Sequence, residues 1–344
     1  MKKTLALLLL LAGLTLEAQG KTLTWDGTKS YAWNSWDANW LDENGKAAVF
    51  DDGDDVVFNN NAKEDYIRTY SVAPGSMVVE NGAGHTYFFT SANGDRVGGG
   101  FKGNMSLIKK GDGELKLDMS NPYDGGTYIY GGSVLIYTLG ALGSGDIHLH
   151  GGLLSLSIKE KIDNDIFVEG NATLVGCTNG VLTLCEKSTL TMGSGLDASD
   201  RDDVIIMDGA TLDLGMNSIS LYQGGVRGSV QVGDSFIGKG AIFCCKVNVA
   251  AGKTLTLLEN TSATDGTNFN LGEGSSLDMG GNSVSFADTT ISSSGDGGYL
   301  GHGTIEGDLT VTSGSRINLL EGTTITGGVN LGDNASLDLG KNAV

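Results

Sequence analysis

GATLDLGMNSI, residues Gly209–Ile219, returns as GSSLDMGGNSV at Gly274–Val284 and as NASLDLGKNAV at Asn334–Val344. The central leucines, Leu212, Leu277 and Leu337, stand 65 and 60 residues apart. A second phrase keeps step: GKGAI (Gly238–Ile242) returns as GHGTI (Gly301–Ile305), and KTLTLLEN (Lys253–Asn260) as SRINLLEG (Ser315–Gly322). Self-similarity at a fixed period is the signature of a repeat architecture. A unit of this length is too long for one turn of a compact coil and fits three coils of roughly 20 residues, stacked at the inter-strand spacing of about 4.8 Å. The shared elements are single short strands rather than four-stranded blades, which argues against a propeller or a sandwich.

The same texture runs through the chain from about residue 65. Runs such as ELKLDM, DIHLHGGLLSLSI and KVNVAAGKTLTLL alternate apolar and polar residues with period 2, the pattern of strands with one buried face. Glycine, at 55 of 344 residues, recurs between them and only 2 prolines are present, so very frequent turns are expected. With 40% hydrophobic residues there is enough apolar material for a core, which separates this glycine-rich chain from a disordered one. The predicted fold is all-β: a right-handed, single-stranded parallel β-helix of about 14 coils and about 65 Å.

Three segments are predicted. Residues 1–18 read as a signal peptide: Lys2 and Lys3, then an apolar stretch from Leu5 to Leu16, with cleavage after Ala18 or after Gly20. That stretch is too short for a bilayer-spanning helix. Residues 21–60 hold all four tryptophans, Trp25, Trp33, Trp36 and Trp40, and read as an aromatic N-terminal cap over the open first coil; a sugar-stacking platform is the functional alternative. Residues 61–344 form the β-helix, which stops at Val344 inside a repeat and is therefore expected to continue in a longer product.

The segment from Leu107 to Gly145, LIKKGDGELKLDMSNPYDGGTYIYGGSVLIYTLGALGSG, closely resembles the autotransporter-associated β-strand repeat, also called the passenger-associated transport repeat. The matching residues are Lys109, Gly111, Gly113, Leu115 and Leu117; Asn121, Tyr123, Gly125, Gly126 and Thr127; Gly131, Gly132 and Leu135; and the Leu142-Gly143-Ser144-Gly145 close. The opening from Trp25 to Phe58 also looks like the start of such passengers. The resemblance implies a β-helical passenger on, or released from, a Gram-negative-type outer membrane. Its partners would be the export machinery, a translocating barrel outside this chain, and a host or matrix glycan or protein.

The charge balance is acidic, −19, which disfavours nucleic acid as a partner. No catalytic constellation and no cofactor motif is present, so a non-enzymatic display or adhesion role is expected. The alternative is a carbohydrate-active β-helix, a polysaccharide lyase or hydrolase working on an extracellular glycan with outward carboxylates. The best metal candidate is a Ca²⁺ site at Asp197, Asp200, Asp202 and Asp203, beside Arg201; a solvated acidic loop explains the same run. Asp51–Asp55 reads as a turn. His148 and His150 alternate on one strand and are expected to share a face. The cysteines Cys177, Cys185, Cys244 and Cys245 have no metal-ligand spacing; they are either interior thiols or include a disulfide, Cys177–Cys185 first.

Overall fold

A computed structural model describes residues 20–342 apart from 95, 97–98, 195, 198–202, 224–225, 228 and 244. The chain is all-β, with no helix among the described residues, and winds into a parallel β-solenoid of about 13 turns, close to the 14 coils expected. Leu23 lies opposite Val56, Val56 opposite Met77, Met77 opposite Leu107, Leu107 opposite Thr127 and Thr127 opposite Ile147. This first face runs on to Val329–Leu331. A second face begins at Ala32–Trp33 and Tyr66–Thr69 and ends at Ser336–Asp338. Alternate residues point inward, so Leu115, Val134, Leu154 and Leu174 form one buried column.

The third face changes along the rod. In the N-terminal half it consists, among the described residues, of one strand pair, Ser71–Val72 with Gly100–Phe101, and the isolated bridges Gly103–Tyr123 and Ile162–Thr178. From Leu196–Asp197 onward it becomes a parallel ladder through Ser218–Ser220, Ala241–Phe243, Ser262–Thr264 and Ser283–Phe286. Coil length varies from 16 residues, Ile166 to Leu182, to 33, Leu23 to Val56.

The super-repeat is three coils. Thr211–Asp213 reaches Ser276–Asp278 through Ser235–Gly238 and Thr254–Leu257. Ser276–Asp278 reaches Ser336–Asp338 through the strands that open at Gly298 and Arg316. The corner after the second face explains why three coils are needed. In the first coil of each unit an aspartate oxygen accepts the N–H of the glycine two residues on: Asp213 from Gly215, Asp278 from Gly280, Asp338 from Gly340, at 2.9, 2.7 and 2.9 Å. These glycines have φ near +60°, a conformation that costs a residue with a Cβ. In the second coil, Gly-Lys-Gly or Gly-His-Gly crosses this turn, and Lys239 and His302 sit 2.9 and 3.0 Å from Asp213 and Asp278. In the third coil, Thr261 and Thr323 accept the N–H of Lys239 and His302. A Cβ on Gly240 would lie 2.2 Å from the Asn217 carbonyl oxygen, and one on Gly238 2.1 Å from Thr261 Oγ1. The middle coil is pressed between the other two.

The N-terminal end is closed by strands of the opposite sense. Trp40–Leu41 runs antiparallel to Thr24–Trp25, on the edge away from Asp55–Phe58, and Ala47–Ala48 runs antiparallel to Trp40–Leu41. Trp25, Trp33, Trp40, Phe50 and Phe58 are buried together. Trp25 and Trp33 meet Trp40 edge-on at 5.0 and 5.2 Å between centroids, a favoured geometry for aromatic pairs.

Candidate functional site

Of the proposed Ca²⁺ ligands, Asp200 and Asp202 lie outside the described residues. Only the backbone is described for the other two. Asp197 pairs with Ser220 on the third face and Asp203 with Ser229 on the first, so a corner of the coil separates them. Among the described residues, no group of three or more His, Cys, Asp or Glu is placed to hold a metal ion.

The Asp51–Asp55 run is a turn in which carboxylates take up protein donors. Asp54 is buried and accepts the N–H groups of Lys21 and Asp51 at 2.9 and 3.0 Å. Asp52 accepts the N–H of Ala73 at 2.7 Å, and Asp55 the Ser76 hydroxyl at 2.6 Å. The bond from Lys21 ties the first coil to the second, and those from Ala73 and Ser76 tie the second to the third.

The motif at 107–145 is built into the rod. Lys109 occupies an inward column between Val79 and Ile129 and is fully buried. Its ammonium donates to the carbonyls of Lys110, Gly111 and Gly131 at 2.6, 2.9 and 3.4 Å. A Cβ on Gly132 would fall 2.8 Å from that nitrogen, and one on Gly113 2.5 Å from Asn81 Nδ2. Asn121 joins three successive coils: its Oδ1 accepts the Phe101 N–H at 3.0 Å, and its Nδ2 donates to the Ala141 carbonyl at 2.7 Å. The phenol of Tyr123 is fully buried on Thr127 Oγ1 at 2.6 Å, and a Cβ on Gly143 would collide with the Tyr123 carbonyl. Burial pushes this phenol's pKa up, with the Thr127 contact acting the other way. The polar and glycine positions of the motif thus serve backbone satisfaction and close packing, not an outward site.

His148 and His150 do share an outward face. Both reach Glu169 on the next coil, at 3.4 and 3.1 Å. His148 is stacked between Tyr128 and Phe167 at 4.7 and 5.3 Å, and His150 lies flat on Tyr130 at 4.3 Å. Parallel register sets this column, since Tyr128, His148 and Phe167 are ladder partners. Alternation gave the shared face; the glutamate and the tyrosines come from neighbouring coils. Cys177 and Cys185 are half-buried thiols not bonded to each other, and Cys245 is a buried thiol; Cys244 lies outside the described residues.

The aromatic N-terminal segment divides in a way composition does not show. Trp25, Trp33 and Trp40 are interior, so the predicted platform is reduced to Trp36, which is 62% exposed. It meets Tyr70 edge-on at 5.0 Å, and the two border a small cleft shared with Asn34, Ser35, Asp52 and Ser71. No protein-family model, no curated protein and no solved structure matches this chain.

Proposed function

We propose that the chain is the exported passenger portion of an autotransporter-type surface protein of a Gram-negative-type bacterium: a rigid, non-enzymatic rod for display or adhesion. The observation that carries this reading is the packing of the 107–145 motif, in which Lys109, Asn121 and Tyr123 all point into the rod: Lys109 and Asn121 reach the Gly131 and Ala141 carbonyls of the next coil, and Tyr123 bonds Thr127 within its own stretch. A motif of that kind supports stepwise stacking of one coil on the last. In a solenoid each coil contacts only its neighbours, so folding outside the membrane would draw the chain out in one direction. The basic and apolar leader at residues 1–18 and the acidic composition fit export and solubility. A translocating barrel and the export machinery are the partners this function requires; a host or matrix glycan or protein is the ligand.

Expression of the full gene with an epitope tag after Gly45 tests the reading. Gly45 sits in an exposed turn with open space around it. The expected outcome is tag accessibility to antibody and protease on intact cells. Retention of the tagged protein inside the cell, with the leader uncleaved, would overturn it.

A further inference from the structure

The cleft beside Trp36 has the features of a binding site. Three of the four indoles are interior while Trp36 is 62% exposed. Leaving so large an apolar ring in water forfeits the free energy of burying it. The exposure is not that of a loose loop. Asn34, only 2% exposed, accepts the N–H groups of Trp36 and Asp37 at 3.0 and 2.7 Å and donates to the Asp37 carboxylate at 3.0 Å. Ser30 adds a second bond to that carboxylate at 2.9 Å, and these bonds from Asn34 and Ser30 hold the pKa of Asp37 below the usual range. The backbone that carries Trp36 is fixed, and the ring is held out over the cleft.

The geometry points to a subsite for one neutral sugar unit of a glycan, with Trp36 as its platform. A pyranose presents C–H bonds with partial positive charge on one face, which suit the negative face of an indole. Its hydroxyls need donors and acceptors at the rim. Ser35 and Ser71 offer hydroxyls, and Asp52, tied through Oδ1 to Ala73 N–H, offers its second oxygen. Two other ligand classes fit less well. Anionic sugars meet a chain of charge −19. A quaternary ammonium ion needs aromatic walls spaced to admit it, and Trp36 and Tyr70 touch at 5.0 Å. The subsite adds a ligand class to the display reading, and it is measurable on purified protein whether or not the rod reaches a cell surface.

Because Trp25, Trp33 and Trp40 are buried, acrylamide quenching of tryptophan emission reports on Trp36. The protein is titrated with neutral gluco-, manno-, galacto- and xylo-oligosaccharides, with an oligouronate and tetramethylammonium as comparators. Calorimetry then gives affinities for the wild type and variants. The expected result is saturable protection by at least one neutral series, with affinity reduced at least about tenfold in Trp36→Ala (about 1.4 kcal/mol) and severalfold in Asp52→Asn. Thermal unfolding should be unchanged, since neither side chain is in the core. If Trp36→Ala does not fold, Asp52→Asn, which keeps Oδ1, decides. Protection by none of the neutral series, protection by tetramethylammonium alone, or affinity that survives both substitutions overturns the proposal.

Discussion

Lys109 shows how a lysine of the sequence motif becomes a stability switch. It lies in a column otherwise made of Val79, Ile129 and Leu149, and burial pulls its pKa from 10.5 down to about 8. Below pH 8 it is protonated in both folded and unfolded chains. Between about 8 and 10.5 the unfolded chain holds the extra proton, so the stability contribution rises with pH in that window. Tyr87 and Tyr123 act oppositely: burial raises both phenols above their ordinary value of 10. Above that pH the unfolded chain loses protons the folded chain keeps, and stability falls. The urea midpoint should therefore climb from pH 8, turn over near pH 10, and lose its climb in Lys109→Met. A climb that persists in the variant would remove Lys109 as its source. The sequence made Lys109 visible through its motif, but two of its acceptors are backbone groups in its own turn and the third lies 22 residues on. No alternation pattern reports carbonyl directions.

At the scale of an element, the corners carry more information than the strands. The phrases that reveal the period are corner phrases. Leu-Asp-x-Gly is legible because the same Asp-to-glycine bond recurs at 213, 278 and 338. The reason for three coils was not legible, because Gly-Lys-Gly, Asn217 and Thr261 meet only when coils stack. A pair of substitutions separates steric crowding from backbone conformation. Gly240→Ala places a methyl 2.2 Å from a backbone oxygen and should destabilise by more than about 3 kcal/mol, at the upper end of the range for single changes. Gly252, with φ +69° and open space around it, should lose only about 1 kcal/mol on change to alanine. Thermal or urea unfolding of the two variants checks the ranking; equal losses would mean that the corner yields and the stacking argument fails.

For the whole molecule, the alternation and the repeats announced a parallel solenoid, and its aromatic N-terminal cluster followed from composition. The antiparallel closure was invisible, since Trp40–Leu41 and Ala47–Ala48 are two-residue strands without a periodic signal. The uneven coils of the N-terminal half leave no period in the sequence, where copies stand out only if coils near 20 residues repeat the same corners. Closure at one end predicts local failure. Trp40→Ala removes a buried ring worth about 3–5 kcal/mol, yet in a linear stack the loss should stay near the site. Hydrogen exchange should accelerate across Thr22–Phe58 and remain unchanged from Thr254 onward. Uniform acceleration along the rod would show that the coils unfold as one body.

The parallel ladder also sets how the rod answers to force. Its backbone hydrogen bonds lie along the long axis, while the strands lie across it. Tension between the two ends therefore loads one coil's bonds at a time, and each coil that peels away frees its contour before the next is loaded. A 20-residue coil such as Leu107 to Thr127 yields about 70 Å of slack at full extension. A rod built this way lengthens in steps under tension and limits the peak load carried between its ends.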